Sequence, residues 1–150
     1  MKNEKQIIDY MNAVFQGAST AAQSIADILP KVTDKELKKE LKKEQKEYEG
    51  ILAECRDFAK RNNLEVKDNN FFEKAKLWTT IKLSTLTNNE TRHIAEMMLI
   101  GTNMGLITCY KDKYDHRGVS EDLDIIIEKL ENLEVQNFDA LKPYLNVDEE

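Results

Sequence analysis

The sequence predicts an all-α fold, a bundle of four long helices with one additional shorter helix. Segments along the whole chain carry apolar residues at the three- and four-residue spacing of a helix. The 150 residues include only five glycines and two prolines, which suits long helices and disfavours a fold with many turns. A chain of this length can bury a core without disulfides or a structural metal. We therefore expect a single domain over residues 1–150.

The first predicted helix runs from about Glu4 to Leu29. It ends at Pro30, because the residue before a proline is pushed away from helical geometry. Small residues occupy its middle, and we interpret them as a surface for tight helix packing in preference to a ligand cavity. They are Ala13, Gly17, Ala18, Ala21 and Ala22.

The second predicted helix begins at a capping box formed by Thr33 and Glu36 and runs to about Asn62. Its apolar stripe includes Leu41 and Tyr48. The run KELKKELKKEQKEYE alternates positive and negative charges at helical neighbour spacings. We interpret this run as a face exposed to solvent.

A third, shorter helix is predicted over about 71–85, with Trp78 as an apolar anchor, and it could be continuous with the fourth. The fourth helix is predicted to start with a capping box of Thr87 and Glu90 and to run to about Asp115. The fifth helix is predicted from about residue 121 to residue 144. Two residues between the fourth and fifth helices favour a break there, because glycine is common just after a helix and serine is common at the N-cap. They are Gly118 and Ser120.

Composition and charge exclude several classes of function. The net charge is −6 and the pI about 5.1, so the chain repels phosphate backbones and nucleic acid is not an expected partner. No apolar run approaches the roughly 20 residues of a membrane helix, and the first residues do not resemble a signal peptide. Cys55 and Cys109 lie in separate helical patterns and read as buried thiols. We expect a reduced, cytoplasmic protein with no membrane association.

The fourth helix is apolar on nearly all sides, which is typical of a helix that is mostly buried. Only a narrow strip is polar, formed by Arg92, Glu96, Asn103 and Tyr110. Either the third helix covers this helix or it forms a homo-oligomer interface, for which a symmetric dimer is the commonest solution. The spacing Gly101-x-x-x-Gly105 favours close helix packing. The methionines of this helix are interpreted as core filling, with an adaptable binding surface as the alternative; they are Met97, Met98 and Met104.

Glu90 and His93 form one Glu-x-x-His motif, of which a di-iron bundle needs two. The second histidine, His116, has Lys113 three residues before it, so one chain cannot supply the complete site. Glu90 is also explained as a capping residue at the third position of its helix. The alternative is a degenerate or inter-chain site for iron, manganese or zinc. It would use His93 with Glu90 or Glu96, and Glu44 or Tyr48 from the second helix.

The segments HIAEMMLIGTNMG and ILPKV, with the pair Tyr48-Glu49, resemble a group of small uncharacterised helical proteins from Gram-positive anaerobes. These proteins look like ferritin-like bundles. The resemblance implies a ferritin-like topology and covers the chain from about residue 14 to residue 114. It also implies that His93, Glu96, Gly101 and Gly105 belong to a characteristic motif, and it implies no activity.

The leading hypothesis is a non-enzymatic bundle that self-associates through the helix around residues 90–110 and acts by binding. Arg92, Glu96 and Asn103 would line the least apolar part of that interface. No cofactor is predicted. A small-molecule pocket lined by the methionines and Trp78 is a further possibility, and the ligand is not defined by the sequence.

Overall fold

Four α-helices contain most of the residues that the computed structural model describes, which are residues 3–66 and 90–146. They are α1 (Glu4–Ile28), α2 (Lys35–Arg61), α3 (Thr91–Asp115) and α4 (Glu121–Leu141). Short 3-10 helices follow α1 at Leu29–Lys31 and α4 at Lys142–Asn146. The prediction of an all-α bundle of four long helices is confirmed. The additional helix predicted over about 71–85, with Trp78, lies outside the described residues.

Polar side chains cap the starts of α1, α2 and α4. Asp34 caps α2, because its carboxylate accepts a hydrogen bond of 2.8 Å from the backbone N–H of Leu37. The cap is therefore one residue later than the predicted Thr33. Ser120 caps α4 as predicted, with its hydroxyl oxygen accepting from the N–H of Leu123 at 3.2 Å.

The start of α3 differs from the prediction. Glu90 precedes the helix at the N-cap position, and its side chain makes no capping hydrogen bond. The capping role predicted for Glu90 at the third helical position is therefore wrong. The end of α3 agrees with the prediction, since Asp115 is its last residue and Gly118 follows with a positive φ of 74°.

The helices surround the core in the order α1, α2, α4, α3, and each contacts the next. Ion pairs and hydrogen bonds between helices show their relative directions. Lys129 on α4 pairs with Glu54 on α2, whereas Asn137, later on α4, bonds Tyr48, earlier on α2. These two helices are therefore antiparallel.

Two contacts of Tyr10 show the directions of α1 and α3 relative to α4. The hydroxyl of Tyr10 near the start of α1 donates to Asp124 near the start of α4, so α1 and α4 run in the same direction. The ring of Tyr10 also stacks on His116, just after the end of α3, with 4.8 Å between centroids. Thus α1 and α4 run one way, and α2 and α3 run the other. It follows that α2 ends and α3 begins at opposite ends of the bundle.

The core is built mainly from aliphatic and aromatic side chains of all four helices. The largest side chains that are almost fully buried include Tyr10, Tyr48, Phe15, Met11, Leu37, Leu41, Ile94, Leu123, Leu130 and Leu141. Burying this apolar surface is the main force that holds the bundle together. Two carboxyl groups are buried with them, and they define the candidate functional site.

Candidate functional site

A cavity of about 320 Å³ lies inside the bundle, and all four helices contribute to its lining. We call it the interior cavity. Its described apolar lining consists of Ala13, Gly17, Ala21, Ile25, Met98, Gly101, Met104 and Gly105. Its described polar lining consists of Gln16, Thr20, Ser24, Glu44, Tyr48, Thr102, Thr108, Asp112 and Glu134. The lining extends from fully buried side chains to the exposed Met104 and Thr108, so the cavity reaches the surface beside α3.

Small residues on α1 and α3 make room for this cavity. Ala13, Gly17 and Ala21 line it from α1, and Gly101 and Gly105 line it from α3. The interpretation of these positions as packing surfaces is incomplete, because they also border open space. Gly17 does serve packing as well, since a Cβ atom there would lie 3.2 Å from a methyl carbon of Leu130 on α4.

Glu44 is the most unusual lining residue. Its exposed fraction is 1%, and no donor among the described residues reaches its buried Oε2 atom. Burial raises the pKa of Glu44 to about 10. The hydrogen bond that protonated Glu44 donates to Glu40 and the nearby charges of Glu40, Glu47 and Glu134 act in the same direction. The interpretation of the charged run on α2 as a solvent-exposed face is therefore wrong at this position.

A second buried carboxyl group belongs to Glu134 on α4, which is 2% exposed. The hydroxyl of Tyr48 on α2 forms a hydrogen bond with it, and the Tyr48 oxygen accepts another from the amide of Asn137 at 3.1 Å. Burial raises the pKa of Glu134 to about 8, and the Tyr48 hydrogen bond limits the rise. For Tyr48 itself, burial and the Glu134 charge raise the pKa of the phenol.

Most of the serine and threonine hydroxyls on the lining donate hydrogen bonds to backbone carbonyls of their own helices. Ser24 donates to the carbonyl of Thr20 at 2.8 Å, and Thr102 donates to the carbonyl of Met98 at 2.7 Å. Thr108 donates in the same way to a carbonyl four residues earlier, at 3.0 Å. Toward the cavity these three groups can therefore offer only oxygen lone pairs. The described lining is rich in acceptors and contains no lysine, arginine or histidine.

The structure brings together some of the predicted site residues and leaves others apart. Six of them line the interior cavity, namely Glu44, Tyr48, Met98, Gly101, Met104 and Gly105. The predicted polar strip of α3 is exposed at Arg92, Glu96 and Asn103, while His93 and Met97 are half-buried. Trp78 lies outside the described residues. The sequence analysis missed Glu134, although it follows Leu130 by four residues on the buried side of α4.

The candidate metal ligands are not assembled into a site within the described part of the chain. Over residues 3–66 and 90–146, no group of three or more histidine, cysteine, aspartate or glutamate side chains could hold a metal ion. His116, the other histidine, stacks on Tyr10, and its Nδ1 lies 3.0 Å from the carbonyl of Asp112. A metal site shared between two chains stays a prediction.

One side of α3 exposes large apolar side chains in the single chain. Burial of this side by the segment over about 71–85, which lies outside the described residues, or by a second copy stays a prediction. Ile100, Met104, Ile107 and Tyr110 are each about half exposed and follow one another at three- or four-residue spacing. Tyr114 continues the series and is 66% exposed. We call these five residues the α3 strip.

Both cysteines are buried, as the sequence analysis predicted. Burial raises the pKa of Cys55 and that of Cys109 to about 12. A thiol with such a pKa is almost entirely protonated at neutral pH and is a poor nucleophile. The two thiols therefore belong to the core.

No family model matches the chain, and no curated protein or solved structure matches it. The resemblance to small proteins of Gram-positive anaerobes therefore stays a prediction. Within the described residues, no helix combines the length and the apolar character that crossing a membrane requires. The chain is a four-helix all-α bundle whose buried acids face an interior cavity.

Proposed function

We propose that the protein binds a small molecule in the interior cavity, with Glu44, Tyr48 and Glu134 as its polar contacts. The observation that carries this proposal is the position of Glu44. Its carboxyl group is almost completely buried and lines the cavity, and no described donor reaches its Oε2 atom. Native proteins rarely bury a carboxyl group that no donor or positive charge reaches, unless a bound group or a functional role accounts for it.

The rest of the cavity is consistent with a ligand site. Such sites are concave and mostly apolar, with a few polar groups that fix the orientation of the ligand. The cavity volume of about 320 Å³ is at the low end of the range for ligand pockets, roughly 300–1,000 Å³, and so suits a small ligand. A ligand that satisfies Glu44 would also recover part of the free energy lost by burying it, which is about 1–3 kcal/mol for an unpaired polar group.

The test compares three probes of equal chain length, namely hexanol, hexylamine and hexanoate, by calorimetry and thermal unfolding. Ala21→Leu places a larger side chain on the cavity lining, and Ala53→Leu makes the same change at an exposed position of α2. We expect at least one probe to bind the natural protein and Ala53→Leu, and to bind Ala21→Leu at least about tenfold more weakly. Failure of every probe to bind the natural protein, or equal binding to Ala21→Leu, would refute the proposal.

Self-association through the α3 strip is a second candidate, and the exposure of its five apolar residues supports it. Contiguous apolar surface on a helix is a common feature of protein interfaces. A second copy of this chain is the proposed partner, because a symmetric dimer would pair the strip with itself.

Light scattering on a size-exclusion column tests the dimer. Ile107→Asp introduces a charge into the α3 strip, and Ile125→Asp introduces the same charge at an exposed isoleucine of α4. We expect a dimer for the natural protein and for Ile125→Asp, and a monomer for Ile107→Asp. A monomeric natural protein at micromolar concentration would contradict this candidate. If it is a dimer, elemental analysis of protein purified without chelators tests the predicted inter-chain metal site.

We also infer that the topology is ferritin-like. Bundles of that class have one long crossover connection. The described helices support the inference, because α2 ends and α3 begins at opposite ends of the bundle. An experimental structure that covers residues 62–90 would test it.

A further inference from the structure

The interior cavity offers hydrogen-bond acceptors almost everywhere and no positive charge among its described residues. Both buried carboxyl groups line it, and neither forms an ion pair with a described lysine, arginine or histidine. Three hydroxyls on the lining donate to their own helices, as described above. Apart from the protons on the two acids themselves, the described side chains that retain unused donor hydrogens are Gln16 and Thr20. A complementary ligand therefore carries donors and a positive charge.

We propose that the interior cavity takes a small organic cation, an amine whose ammonium group contacts the carboxyl groups of Glu44 and Glu134. This inference rests on the proposed function, namely that the cavity binds a small molecule. The apolar part of the amine would lie against Ala21, Gly101 and Gly105, which line the same space. Charge-assisted hydrogen bonds between an ammonium group and carboxylates are about twice as strong as neutral ones, so they provide most of the selectivity.

The apolar lining favours an organic cation over a metal ion. A divalent metal needs several oxygen or nitrogen ligands arranged around it. The described residues contain no group of three side chains that could provide them. An alkylamine needs carboxyl groups only around its ammonium end. Its carbon chain is stabilised by burial against the apolar lining of the cavity.

Binding of a cation should release protons. Without a cation beside it, Glu44 is protonated near neutral pH, because burial and the neighbouring charges of Glu40, Glu47 and Glu134 raise its pKa. Asp112 from α3 and Tyr48 from α2 also line the cavity and supply no positive charge. An ammonium group favours the carboxylate form, so the proton on Glu44 leaves as the amine enters. A neutral alcohol of the same size causes no such release.

The experiment measures binding of hexylamine, hexanol and manganese chloride to the full protein at pH 7.5. A pH-stat in unbuffered salt solution records the protons released. We expect hexylamine to bind at least about tenfold more tightly than hexanol. It should release at least about one proton per molecule bound, since Glu134 is also partly protonated at this pH. Glu44→Gln should weaken hexylamine binding about tenfold or more and remove most of the proton release. Glu49→Gln, an exposed position on the same helix, should change neither.

The outcomes separate the two proposals. If hexanol binds as tightly as hexylamine, or if no proton is released, the cation inference is wrong and the proposed function stands. If manganese binds and excludes hexylamine, the site is a metal site and the cation inference is again wrong. If none of the probes binds the natural protein, the proposed function itself fails.

Discussion

The carboxyl group of Glu134 occupies the space that a side chain at Gly105 would need. A Cβ atom on Gly105 would lie 2.9 Å from Oε1 of Glu134, which is closer than real Cβ atoms come, and 3.0 Å from Oε2. The absence of a side chain at Gly105 on α3 therefore leaves room for the acid of α4 in its buried position beside Tyr48. Gly105 shapes the site without contributing a functional group.

Replacing Gly105 by alanine tests this relationship. Alanine in a helix gains about 1 kcal/mol over glycine, and Gly50→Ala on α2 should show that gain, since no atom lies within 4 Å of the new Cβ. Gly105→Ala should instead lower the free energy of unfolding by about 1 kcal/mol, because it forces Glu134 away from Tyr48. Urea unfolding measures both changes. In a Glu134→Ala background, Gly105→Ala should become stabilising; a persistent loss there would show that Glu134 is not the obstacle.

The buried acids predict that stability falls as the pH rises. Their pKa values in the folded protein, about 10 for Glu44 and about 8 for Glu134, lie above the ordinary value of 4.5. Above pH 4.5 the unfolded chain loses these protons while the folded protein retains them, so raising the pH favours unfolding. The decline continues to about pH 8 for Glu134 and about pH 10 for Glu44.

Urea unfolding between pH 5 and pH 8 measures this decline. Each acid contributes up to about 1.4 kcal/mol per pH unit. Glu44→Gln should flatten the dependence and raise stability at pH 8, whereas Glu49→Gln should leave the slope unchanged. Equal slopes for the natural protein and Glu44→Gln would mean that Glu44 is not held in its protonated form.

The Tyr48 hydroxyl forms hydrogen bonds with both Asn137 and Glu134. Tyr48→Phe removes the acceptor for the Asn137 amide and the donor to Glu134, and leaves both groups buried. We expect the free energy of unfolding to fall by about 1–3 kcal/mol. Tyr114→Phe removes a hydroxyl from an exposed tyrosine and should change stability by less than about 0.5 kcal/mol. Similar effects of the two substitutions would contradict the role given to Tyr48.

The cysteines should resist thiol reagents in the native state. Cys55 and Cys109 are buried, and their raised pKa values leave little thiolate at pH 8. We expect dithionitrobenzoate to label neither thiol in the native protein within an hour, and both thiols in guanidinium chloride. Rapid labelling of one thiol under native conditions would show that its helix opens locally.

The long helices could be predicted from the sequence because their signals are local. Apolar spacing, Pro30, Gly118 and Ser120 placed most helix boundaries within a few residues. The site could not be predicted in the same way. Glu44 lies three residues after Leu41 and four before Tyr48, so spacing alone puts it on the buried face. The surrounding charges indicated a solvated face, and they concealed this signal.

The contact between Gly105 and Glu134 cannot be predicted from the sequence of either helix alone. It is set by how far α3 is shifted along α4, and that shift results from packing over the whole interface. Helical spacing shows which residues of one helix share a face. It does not show which residue of a neighbouring helix they meet, so the interior cavity could only be seen in three dimensions.

The antiparallel pairs α1–α2 and α3–α4 have a consequence for folding. Each pair is a helical hairpin, and each hairpin supplies one of the two buried acids, Glu44 from the first and Glu134 from the second. Neither acid loses its water completely until the hairpins meet. Assembly of the two hairpins is therefore the step at which both acids must give up their hydration or take up protons. Refolding should become slower as the solution becomes more alkaline, and a molecule that neutralises the acids would also act as a folding aid.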